Sequence, residues 1–138
     1  MATSPDGARL ATIVRDSKIP APSYSRCFSW MVILNVGDGQ PVREARQRGA
    51  CYWRADWSAD GSHLLLTADR FKPLRMALHN LVLVDVASGF VDTFYSALEL
   101  GTKALWLLNA SGVLFEITSL GEGGLWVYRL KEGEPQPL

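Results

Sequence analysis

The sequence predicts an all-β fold built from about three repeats of a four-stranded antiparallel sheet, and three observations carry that reading. A turn of the Ser-x-Asp-Gly kind recurs at nearly even intervals. A second landmark, an apolar run closed by a glycine turn, recurs in phase with it. The stretches between are short, rich in Val, Ile, Leu and aromatics, and bounded by glycine, which is the composition of strands.

Self-similarity at a fixed period sets the architecture before any local reading does. Ser4-Pro5-Asp6-Gly7 precedes Ala8-Arg9-Leu10-Ala11-Thr12-Ile13, and Ser58-Ala59-Asp60-Gly61 precedes Ser62-His63-Leu64-Leu65-Leu66-Thr67. A weaker third copy is Asn109-Ala110-Ser111-Gly112 before Val113-Leu114-Phe115-Glu116-Ile117-Thr118. Aligned on their last residues, Gly7, Gly61 and Gly112 stand 54 and 51 residues apart. The second landmark runs from Met31 to Val36 before Gly37-Asp38-Gly39, from Leu81 to Val86 before Ala87-Ser88-Gly89, and from Leu125 to Leu130 before Lys131-Glu132-Gly133. Its closing glycines are 50 and 44 residues apart.

Asp-Gly and Ser-Gly steps suit tight hairpin turns, because glycine takes a positive φ without a Cβ clash. The unbroken apolar run Leu81 to Val86 suits a strand buried on both faces, as where sheets stack. A period near fifty with four strands per unit points to β-propeller blades. The first blade covers about 4–49, lacks most of its inner strand and uses about 8–14, 30–36 and 42–47. The second covers about 50–101, with strands near 51–57, 62–68, 80–86 and 90–96. The third covers about 102–138, with 104–109, 113–118, 124–130 and a stub after Pro135.

Trp57-Ser58-Ala59-Asp60-Gly61 resembles the W-S-P-D-G signature of TolB-like, WD-repeat-like propeller repeats, and Ser4-Pro5-Asp6-Gly7 matches its last four letters. The resemblance implies that this signature ends the innermost strand of a blade and turns into the second. It also implies that the later run ending in Asp, a small residue and Gly is the third strand and its turn. The likeness extends to the propeller domains of prolyl-oligopeptidase-like peptidases, which carry their hydrolase on a separate domain.

Composition narrows the function. The chain has 138 residues and 15.2 kDa, the size of one domain. Lys plus Arg and Asp plus Glu are 14 each, a balance that disfavours nucleic acid or an anionic membrane as partner of the whole surface. No apolar run approaches the roughly 18 residues of a membrane span, and the first residues do not open a signal peptide, so a cytoplasmic location is expected. Cys27 and Cys51 read as two small buried thiols, although they could meet in space. Three blades fall below the usual four to eight. The chain therefore reads as part of a longer propeller, or as one whose copies associate to close a ring.

No catalytic residues, metal ligands or cofactor are expected. His63 and His79 read as strand-end histidines meeting water or a backbone carbonyl, and the chain holds no G-x-S-x-G string. The five tryptophans read mainly as packing between blades. The loops are more telling. In propellers the second-to-third-strand loops and the connections between blades share one face, and here these are basic: Arg15, Lys18 and Arg26 in the first, Arg70, Lys72 and Arg75 in the second, Arg46 and Arg48 between. With Tyr24 beside them, these residues are the candidate site, suited to an acidic or phosphorylated protein segment. The expected function is a non-catalytic protein-binding scaffold. The alternative is the gating propeller of a prolyl-oligopeptidase-like serine peptidase.

Overall fold

The structure, a computed structural model, describes residues 1–15, 29–47, 50–71, 77–98, 103–118 and 123–138. Twelve strands among them form three four-stranded antiparallel sheets, each strand bonded to its neighbour in sequence. Sheet 1 holds β1 (Ala2–Thr3), β2 (Arg9–Arg15), β3 (Ser29–Asn35) and β4 (Pro41–Ala45). Sheet 2 holds β5 (Ala50–Trp57), β6 (His63–Phe71), β7 (Ala77–Asp85) and β8 (Val91–Ala97). Sheet 3 holds β9 (Ala104–Trp106), β10 (Gly112–Ile117), β11 (Gly124–Arg129) and β12 (Pro135–Pro137). The inner strand of sheet 1 is reduced to the two-residue β1, paired with Leu10 and Ala11. β6 and β7 run longer than the turn pattern suggests, because pairing continues through Asp69 with His79 and Arg70 with Leu78.

Strand periodicity decides which side chains meet. Ala11, Met31 and Ile33 of sheet 1 pack against Leu64, Leu66 and Val82 of sheet 2. The alternate residues of sheet 2, Leu65, Leu81 and Leu83, pack against Val113, Phe115 and Tyr128 of sheet 3. Sheet 2 is thus apolar on both faces, which accounts for the unbroken run in β7. Polar links tie the layers as well: the Tyr52 amide donates to the buried Ser29 hydroxyl at 2.7 Å. The start of β3 therefore lies against the start of β5. Cys51, fully buried beside Tyr52, is disulfide-bonded, where a free thiol was expected. Cys27, the other cysteine of the sequence, lies outside the described residues.

Two bulges break the alternation usefully. In β8, Leu81 faces Tyr95 and Val82 faces Thr93, so Phe94 is an extra residue. The bulge turns Phe94 and Tyr95 onto the same side, where both meet Phe115. In β5, Tyr52 faces Ala68 and Arg54 faces Thr67, which leaves Trp53 as the extra residue, 50% exposed.

The turns that begin the second strands share two hydrogen bonds. The Gly7 amide donates to Ser4 O, Gly61 to Ser58 O, and Ala110 to Leu107 O, with φ of 71°, 69° and 56°. The Oδ1 atoms of Asp6, Asp60 and Asn109 accept from the amides two residues on, Ala8, Ser62 and Ser111. The third turn therefore comes two residues earlier than the glycine alignment has it: Ala110 holds the left-handed position and Gly112 opens β10.

The Ser58 hydroxyl at 2.6 Å, and then the Ser62 amide and hydroxyl, hold the Asp60 carboxyl down at about 2. With the folded value below the ordinary 3.8, this contribution is complete above about pH 4 and is lost as the pH falls toward 2. Urea midpoints taken across that range should show the stability gap between the native chain and Asp60→Asn closing as the pH falls.

Candidate functional site

Antiparallel order brings the end of β2, the start of β3, the start of β5 and the end of β6 to one end of the stack. Arg15 closes β2, Arg46 follows β4, and Arg70 lies near the end of β6, so these three candidates share that end. Lys18, Tyr24, Arg26, Arg48, Lys72 and Arg75 lie outside the described residues. Asp69 and Arg70, read as loop residues, belong to β6.

Two of the three arginines stand over tryptophan rings. The Arg15 guanidinium carbon is 5.6 Å from the centre of the Trp53 ring, and that of Arg46 is 4.5 Å from Trp30. Both are within the range at which a ring quadrupole attracts a cation. Arg46 also pairs with Glu44 at 2.9 Å, both side chains about half exposed, an ion pair worth little by itself. Arg70 is exposed and stands in the cross-strand row of Ala50 and Leu78. At the same end the Asp69 carboxylate is engaged by His79 Nδ1 at 2.5 Å. His79 thus lies inside β7 and meets a carboxylate, not the water or carbonyl expected of a strand-end histidine.

Trp30 and Trp53 were read as packing residues, and their place under the arginines is a correction to that reading. The hairpin register carries a signal for Trp30, since Met31 pairs with Ala45 and so sets Trp30 beside Arg46. Nothing in the local pattern announces the bulge that turns Trp53 outward.

At the opposite end, His63 also departs from expectation. Its Nδ1 is 2.7 Å from Ser62 Oγ, and its Nε2 is 3.6 Å from Asp85 Oδ2. Ser62 Oγ also lies 2.7 Å from Asp60 Oδ1, so one hydroxyl is shared between a carboxylate and the imidazole. The cluster locks the β5–β6 turn to the end of β7. Among the described residues, no group of three or more His, Cys, Asp or Glu could hold a metal ion.

No protein-family model and no curated protein matches the chain. Solved structures do. The β-propeller domain of the Trilobed protease from Pyrococcus furiosus superposes with a TM-score of 0.69 at 13% identity, over 97% of this chain and 39% of that one. The β-propeller is therefore the fold. TolB from Acinetobacter baumannii gives 0.63 at 16% identity over 99% of this chain, and Pyrococcus horikoshii acylaminoacyl peptidase 0.66 at 12% over 94%. The chain spans 31% and 24% of those proteins. Each sheet is a propeller blade, with β1, β5 and β9 as the innermost strands.

Proposed function

We propose that this β-propeller segment is a non-catalytic binding module whose basic, tryptophan-backed end contacts an acidic or phosphorylated protein segment. The observation that carries the reading is the pair of arginines over tryptophan rings, Arg15 over Trp53 and Arg46 over Trp30, at the end that also bears Arg70. A guanidinium held over a ring loses less freedom on binding a carboxylate or phosphate than a lysine would, and at Arg46 an incoming anion competes with Glu44 for the N–H groups. The test is binding of a fluorescein-labelled polyglutamate peptide at low salt. Arg70→Glu with Lys72→Glu should weaken it by at least about tenfold, roughly 1.4 kcal/mol, with an unchanged thermal midpoint. Unchanged affinity would place the contact elsewhere.

The likeness to acylaminoacyl peptidase and to the Trilobed protease propeller favours a second reading, the gating propeller of a peptidase. Hydrolysis of short peptides by a longer protein containing this chain would select it. Absence of hydrolysis together with polyglutamate binding would select the first.

A further inference from the structure

Trp53, Trp57 and Trp106 lie on innermost strands, and the last two are spent inside the fold. Trp57 Nε1 donates to Ala2 O of blade 1 at 2.9 Å, and Trp106 Nε1 donates to Asp56 O of blade 2 at 3.0 Å. Each of these indoles joins its blade to the one before. Trp53 makes no such bond among the described residues and is 50% exposed.

A regular β5 would have buried it as well. Continued alternation would set Trp53 opposite Thr67, in the row that leads to Leu81 and faces blade 3. The bulge gives that place to Arg54 and turns Trp53 outward. Half of a large apolar side chain is left in water that the same strand could have covered. A bulge that re-aims a side chain in this way is typical of a site rather than of a defect.

What the bulge presents is an indole with a cation beside it. Arg15 stands 5.6 Å from the ring centre, and one guanidinium covers only one face of an indole. Both groups are held from behind. Arg15 pairs with Ser29 across β2 and β3, and Ser29 Oγ accepts from the Tyr52 amide, next to Trp53. Other charges on or beside these strands are already matched: Arg54 meets Asp56 at 2.6 Å, Arg46 meets Glu44 at 2.9 Å, and His79 engages Asp69. Arg15 and Arg70 meet no carboxylate among the described residues. Trp30 does not repeat the arrangement, since the arginine over it is taken by Glu44.

We infer that Trp53 and Arg15 form a two-part subsite for an aromatic side chain flanked by acidic residues. The incoming ring stacks on the indole, and an acidic group beside it meets the guanidinium. This rests on the acidic-segment reading of the basic end and narrows it to segments that carry an aromatic residue. Aromatic pairs gain more than their buried area alone supplies, and tryptophan and arginine are the residues on which protein interfaces most often depend. Single-stranded nucleic acid also offers flat rings and anions. Glu44 and Asp69 at the same end disfavour its continuous run of phosphates.

The test uses two unlabelled glutamate-rich peptides of equal length, one with a central phenylalanine and one with leucine in its place, titrated by calorimetry at low salt. The native chain should bind the phenylalanine peptide at least about threefold more tightly. Trp53→Leu should remove that preference with an unchanged thermal midpoint, since the side chain is half in water. Arg15→Gln should weaken both peptides and keep the preference. Indole 15N spectra of the native chain give a second readout. The Trp53 signal should move more with the phenylalanine peptide than with the leucine one, while those of Trp57 and Trp106 stay. Equal binding of the two peptides would overturn the inference and leave the acidic-segment reading standing. A preference that survives Trp53→Leu, or a Trp53 signal that does not move, would overturn it as well. Binding of neither peptide would overturn both. A thymidine oligonucleotide bound more tightly than the phenylalanine peptide would overturn the inference in favour of single-stranded nucleic acid.

Discussion

Phe115→Ala is expected to destabilise the chain by about 4 kcal/mol, because it empties the centre of the joint between blades 2 and 3. The ring is 1% exposed, meets Tyr95 at 5.0 Å between centroids and Phe94 edge-on at 5.9 Å, and packs in the cluster of Val113, Ile117 and Tyr128. Phe94 is itself stacked on Tyr128 at 4.3 Å, so the rings support one another and little can collapse into the space. Chemical denaturation of the purified variant measures it. A loss near 1 kcal/mol would mean that the two blades do not pack through this face.

Gly112→Ala should cost about 3 kcal/mol, by a different mechanism. A Cβ built at Gly112 would stand 2.2 Å from Tyr128 O and 3.1 Å from Arg129 Cα, all backbone of the paired strand β11. Backbone cannot swing aside as a side-chain tip can, so β10 and β11 would have to part. Ala110→Gly is the companion measurement. Ala110 has φ of 56°, a left-handed conformation that costs an L-residue about 1 kcal/mol, so this change should leave stability level or raise it. If Gly112→Ala is mild and Ala110→Gly is costly, the third turn lies where the glycine alignment puts it.

That turn shows how far the sequence could be read. The propeller was legible because turn chemistry and period agree: Asp-Gly pairs fix φ at Gly7 and Gly61, and the second landmark keeps step. The third turn slipped because the eye follows glycine. The carboxamide of Asn109, bonded to the Ser111 amide and hydroxyl, instead forces Ala110 into the conformation that glycine would take. Of the basic residues picked out by loop composition, Arg15, Arg46 and Arg70 lie among the described residues and share one end of the stack. What backs them was not legible, since the exposure of Trp53 follows from one extra residue in β5 against β6, a register event that alternation cannot forecast. The same holds for Phe94 and Tyr95, two neighbours that a regular strand would send to opposite faces.

The account rests most heavily on blades joined from indole to carbonyl, and proton exchange at the indole nitrogens of the five tryptophans tests that directly. In 15N-labelled protein, the Nε1 protons of Trp57 and Trp106, bonded to Ala2 O and Asp56 O, should exchange far more slowly than that of Trp53, which is 50% exposed. Exchange at Trp57 and Trp106 as fast as at Trp53 would contradict the joint, and with it the stacking of the three blades as described.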